Sequence, residues 1–218
     1  MSRPLTDELI AALADDASPV KPLAPPLQRG LAALGVLATV AALFIFSLGD
    51  VSGLGTRYLG REALMLAEMG AMLATGVLGV LGAFFVSIPG RSRQWLLAPL
   101  PSFAVWVGLS GFGCYRDFVA AGAGGWAAGH SVDCFTFLLG TGALVGIPLF
   151  WLLSRARPVD SLPVATLGGL GVAAISAFLL QFFHPFALTA IDLAVHGVAI
   201  AVVVAIASLS RRRTLTPA

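Results

Sequence analysis

The chain has 218 residues, of which 58% are hydrophobic and only 11% charged, with a formal net charge of +2. Water-soluble domains carry roughly 25% charged residues, so the composition excludes an ordinary soluble globule and points to lipid as the main solvent. The small net charge decides little, whereas its distribution along the chain decides orientation.

In chain order the first feature is residues 1–28, the only extended polar segment. Thr6 is placed to cap a short helix, and Asp7 and Glu8 then fall in the first turn, where the helix dipole favours acids. Leu5 and Ile10 have the spacing of a hydrophobic staple. Leu5, Leu9 and Leu13 recur at every fourth residue with Ile10 alongside, which predicts an apolar stripe facing away from Asp7, Asp15 and Asp16. So short a helix is marginal alone in water, so the stripe is expected to fold against a partner or a membrane surface. Surface-seeking helices carry Lys and Arg on the polar face; this one is acidic, which favours a protein partner with a basic rim. Pro19, Pro22, Pro25 and Pro26 follow. They predict either a semi-rigid extended tether of roughly 30 Å or a disordered lead-in. Asp7, Glu8, Asp15 and Asp16 against a lone Arg3 do not make the basic start of a secretory signal, so no cleaved leader is expected.

Low-charge stretches then predict spans at 29–48, 64–87, 95–113, 135–153, 162–182 and 188–209. Each is close to the ~20 residues that a helix needs to cross ~30 Å of hydrocarbon. The expected fold is all-α: a polytopic membrane protein of six transmembrane helices within residues 29–210, followed by a short tail at 211–218. With the N-terminus inside, the inner segments hold Arg3, Lys21, Arg29, Arg91, Arg93, Arg155, Arg157, Arg211, Arg212 and Arg213, against Arg57, Arg61 and Arg116 outside. Basic residues of short loops stay on the cytoplasmic side, so both ends are expected in the cytoplasm of a bacterial inner membrane. Arg211-Arg212-Arg213 reads as a topology anchor rather than a nucleic-acid patch, and no direct nucleic-acid contact is expected. Gly76-x-x-Gly79-x-x-Gly82 and Gly168-Gly169-x-Gly171 predict close helix packing. No internal repeat is strong enough to imply the inverted halves of a transporter.

The ionisable residues within the spans all lie toward the outer side: Glu68, Asp192 and His196. Such groups are costly in lipid and point to function. Asp192 and His196 share a helix face, and with Gln181 and His184 they form either an outward-facing sensing pocket or a hydrogen-bond network that fixes packing. No titratable group marks the inner halves, which argues against a proton-driven pump. Cys114 and Cys134 flank the outer loop that holds Arg116, Asp117, His130 and Asp133. In an oxidising periplasm they suit a structural disulfide, provided their Cα atoms approach within ~7 Å; a redox-responsive or metal-responsive pair is the alternative. His130 or His184 beside two thiols would suit a soft metal, though the spacing matches no tight metal motif. Phosphate loops, dinucleotide glycines, zinc-helix motifs and nucleophile elbows are absent, so neither catalysis nor a cofactor is expected. A small transporter or membrane redox protein using the outer Cys/His/Asp cluster is the rival to a regulatory role.

The opening Thr6-Asp7-Glu8-Leu9-Ile10-Ala11-Ala12-Leu13-Ala14, then Pro19-Val20-Lys21-Pro22-Leu23 and Pro25-Pro26, resembles the start of the NrsF family of membrane-bound anti-sigma factors. The resemblance continues through Ser87-Ile88-Pro89-Gly90-Arg91-Ser92, Gly113-Cys114-Tyr115-Arg116-Asp117, Cys134-Phe135 and His184-Pro185-Phe186. It implies that the cytoplasmic N-terminal segment captures an extracytoplasmic-function sigma factor and holds it from RNA polymerase until a periplasmic stress signal, oxidant or metal, releases it. Leu5, Leu9, Ile10 and Leu13 are then the expected contacts, with Asp7 and Glu8 steering approach. Cys114, Cys134, His184, Asp192 and His196 are the corresponding candidates for sensing. Family members often pair a cysteine of the long outer loop with one near the fifth-to-sixth turn. This chain has Phe183-His184-Pro185 there, so Cys134 or His184 would have to substitute.

Overall fold

A computed structural model describes residues 3–17, 22–48, 63–121, 131–183 and 190–215. Among them are seven α-helices: α1 Arg3–Asp15, α2 Pro26–Leu48, α3 Ala63–Val86, α4 Leu100–Ala121, α5 Ser131–Ser154, α6 Ser161–Leu180 and α7 Ala190–Thr214. A 3-10 turn, Arg93–Leu96, precedes α4, and the described residues include no strand. Six helices are long and apolar enough to cross a membrane, corresponding to α2 through α7. One end of the bundle carries the Pro89–Arg93 and Arg155–Pro158 turns and the C-terminal arginines; Cys114 and Cys134 lie toward the other.

Most helix bounds fall within a few residues of those expected, and the third span differs most. Pro101 forbids a helix running through from residue 95, because its ring removes an N–H and clashes with the carbonyl four residues back. The chain therefore makes the 3-10 turn, with the Gln94 N–H donating to the Ser92 Oγ at 3.2 Å, and starts α4 at Leu100. There Pro101 sits in the first turn, whose N–H groups need no intrahelical partner. At its far end α4 passes through Gly108, Gly111 and Gly113 and continues to Ala121. Arg116 and Asp117, expected in a loop, are thus on α4, and Asp133 is in the first turn of α5. His130 lies outside the described residues. At the C-terminus α7 carries the three arginines and continues to Thr214, past the boundary expected at 210. Leu215 continues the helical path, its N–H donating to the Arg211 carbonyl at 2.8 Å, and its side chain is fully buried in the core.

The core is organised around α6, which is buried along nearly its whole length and packs against α3, α5 and α7. Glycines make this possible. A Cβ on Gly79 would lie 2.9 Å from the Cα of Gly171 and 3.1 Å from the carbonyl oxygen of Leu167. One on Gly171 would lie 3.0 Å from the Val80 nitrogen, and one on Gly169 would lie 3.1 Å from the Cα of Val204. Both glycine patterns noted in the sequence are therefore backbone-to-backbone seams, α3 on α6 and α6 on α7.

Helix α2 packs on α3 and α5. Toward its start Gly30 abuts Leu81, and the Arg29 guanidinium lies 5.2 Å from the centroid of the Phe84 ring. Toward its end Phe44 meets Phe137 of α5 and Phe183 beyond α6, with centroids 5.8 and 5.2 Å away. The segment that precedes α2 therefore leaves from a helix fixed at both ends.

Candidate functional site

The helix at the N-terminus begins at Arg3, a turn before the expected Thr6 cap, and Asp7 and Glu8 accordingly fall beyond its first turn. Pro4 accounts for the earlier start: its fixed φ and missing N–H suit the opening turn. Leu5 lies within α1, though its side chain is outside the described ones, and so the staple with Ile10 is untested. The apolar stripe stands open, with Leu9 58%, Ile10 59% and Leu13 62% exposed. Asp16 corrects the expected face. Its N–H donates to the Ala12 carbonyl at 3.1 Å, which extends the helical path one residue and puts Asp16 in line with Leu9, two turns on. The stripe therefore ends in a carboxylate. Residues 22–25 are exposed and non-helical, and the tether closes at Pro26, which is buried, with the Arg29 N–H donating to the Pro25 carbonyl at 3.2 Å. Pro19 and Lys21 lie outside the described residues.

Polar groups toward the cysteine-bearing end pair between α3 and α4, while the pocket expected from Gln181, His184, Asp192 and His196 falls partly outside the described side chains. Ser110 of α4 donates to the Glu68 carboxylate of α3. One heptad along, the Thr75 hydroxyl lies 3.0 Å from that of Ser102. Between these rungs Met72 and Trp106 share one buried cluster. The three pairs run in opposite directions along α3 and α4, as an antiparallel register requires. Ser110 and Ser102 were missed from the sequence because serine is common in apolar spans; their spacing of two helical turns, close to that of Glu68 and Thr75, is the signal that could have found them. The Gln181 amide is 4.0 Å from the Met72 sulfur, His196 is half-buried on α7, and the Asp192 side chain and His184 lie outside the described ones.

The same register explains why the cysteines are not joined. It sets Cys114 level with the first turn of α3, while Cys134 is buried in the cluster of Met72, Trp106 and Leu138. Helix α4 packs chiefly on α3 and α7 rather than on α5. The two cysteines are unbonded in this structure. Cys114→Ser is expected to leave the melting temperature in detergent unchanged, with or without reductant. Cys134→Ser sets a hydroxyl in an apolar cluster at a cost of roughly 1–3 kcal/mol and should lower it. A reductant-sensitive melt of the unmodified chain would refute this. Among the described residues no group of three or more His, Cys, Asp or Glu side chains gathers as a metal site.

A family model described as a negative regulator of sigma F, NrsF, matches residues 13–216. The chain belongs to the NrsF family. No curated protein and no solved structure matches it. Membership makes it one of a family of negative regulators of a sigma factor, and a regulatory family implies a non-enzymatic role. The matched region opens at Leu13, within α1, so Leu5 through Ile10 stand ahead of it. The NrsF match therefore spans all six apolar helices but only the last turn of the candidate partner-binding helix.

Proposed function

We propose that this chain is an inner-membrane anti-sigma factor whose residues 1–28 sequester an extracytoplasmic-function sigma factor on the cytoplasmic face. Six helices apolar enough to cross a membrane are consistent with both ends on one side, and the excess of arginine at that end favours the cytoplasmic face. The outward surfaces of the helices fit lipid, for Phe46, Ile147 and Leu209 are each largely exposed. Leu9, Ile10 and Leu13 form the contact, Leu5 extends it, and Asp7 and Glu8 speed approach to a basic, nucleic-acid-binding partner. The observation that carries the reading is the exposed leucine stripe on a helix set ahead of a firmly packed first span.

On this reading the opposite, periplasmic end receives the stress signal, oxidant or metal. Cys114 and Cys134, with His184, Asp192 and His196, are the groups that would respond. Both cysteine helices reach α6 and α7, directly or through α3, so a change there has a packed route to the cytoplasmic end.

The test is co-purification of the tagged full chain with its bound partner, beside a variant lacking residues 2–21. The truncation ends short of buried Pro26 and leaves α2 whole. The full chain should retain a sigma factor and the truncated one should not, both inserting equally. Retention by the truncated chain would remove the N-terminal segment from the mechanism.

A further inference from the structure

At the arginine-rich end, the start of α6 and the end of α7 enclose an open cleft of about 650 Å³, lined by Val159, Asp160, Ser161, Leu162, Arg211 and Arg212. Its chemistry is mixed. Val159 is 86% and Leu162 47% exposed, giving an apolar floor at the surface. Arg211 is held in place as its guanidinium donates to the Ser208 carbonyl at 2.6 Å. The start of α6, where the Asp160 side chain makes no cap, adds the positive end of its dipole, and the Asp160 carboxylate partly offsets the two arginines.

The α1 helix presents the complement of that cleft. Leu9 and Leu13 form an apolar row, and Asp16 ends the row on the same face, while Asp15 lies about 100° round the helix from it. We propose that α1, whose stripe stands open in this structure, also docks intramolecularly in this cleft when no partner holds it, Leu9 and Leu13 resting on Val159 and Leu162, and Asp16 meeting Arg211 and Arg212. The chain is long enough. Residues 17–25 span up to roughly 30 Å, and six helices spaced 8–10 Å apart present a face of about that width. The contact is small and its charges lie at the surface, so it is weak, and a larger interface on a captured protein displaces it. Its effect is to cover the stripe in a fraction of unloaded chains and so reduce the α1 available for capture.

The docking is internal, so it is tested without any sigma factor, and its failure would leave the capture reading untouched. The full chain carries a photo-crosslinking residue at Ala12, beside the stripe, in phosphatidylcholine nanodiscs. Crosslinks mapped by mass spectrometry should concentrate at residues 159–162 and 208–213. Arg211→Glu with Arg212→Glu should cut their yield at least fivefold, and adding Asp16→Arg should restore it. Val159→Ser with Leu162→Ser, which keeps every arginine, should reduce the yield as well and covers the case in which the arginine variant inserts poorly. Crosslinks spread over the bundle, made mainly to lipid, formed between isotopically distinct chains in a mixed sample, or indifferent to the charge exchange would each overturn the proposal.

Discussion

Replacing Leu9 and Leu13 together by aspartate is expected to abolish sigma-factor capture while all six spans remain inserted. Both side chains are exposed, so the six-helix bundle loses no packing when they change. Burying each leucine against a partner contributes about 1.5–3 kcal/mol, and forcing a carboxylate into the same apolar contact adds a desolvation cost. A loss of at least 3–6 kcal/mol corresponds to roughly 10²- to 10⁴-fold weaker binding. The check is a pull-down from membranes together with a sigma-dependent reporter. The reporter should rise to the level seen without the regulator, and the amount of chain in the membrane should not change. Asp7→Asn with Glu8→Gln should instead slow association and flatten its salt dependence, because those carboxylates steer rather than anchor. Intact repression by the double aspartate variant would show that capture lies elsewhere.

Gly79→Val is expected to disrupt the helical bundle, and Gly108→Val to leave it standing. At residue 79 the new Cβ meets the Gly171 Cα at 2.9 Å, and backbone on a central helix cannot rotate aside as a side chain would. The seam must open, so α6 loses close contact with α3 over several turns. Overpacking costs typically 1–3 kcal/mol where side chains give way, and the cost here should be at or above the top of that range. At residue 108 nothing lies within 4 Å of the added carbon. Unfolding in mixed detergent micelles measures the difference. Equal midpoints for the two variants would sink the claim that the α3–α6 seam holds the bundle together.

These expectations had different origins. The leucine stripe was legible because four-residue periodicity and acidic flanks are local properties. Its polarity was read one residue short: Asp16 joins the stripe only because the helical path persists beyond Asp15. The cysteine pair shows the opposite case. Two thiols near the ends of consecutive spans suggest a staple, but reach depends on which helices are neighbours and at what height. The Glu68–Ser110 and Thr75–Ser102 rungs fix that height and set Cys114 against α3.

The sequence by itself determined the number of apolar helices, most of their bounds and the glycines on which they close, since these follow from hydropathy, proline and residue size along a single helix. It carried the family resemblance too, which a match over residues 13–216 confirmed. Only the tertiary structure decided that α6 is the central helix, that Cys134 is buried while Cys114 is not, that Leu215 is buried in the core and that a mixed apolar and charged cleft opens beside Arg211. The physical reason is shared. Neighbours, register and depth are relations between helices, and six apolar helices of similar composition leave those relations open until their small residues choose which backbones come together.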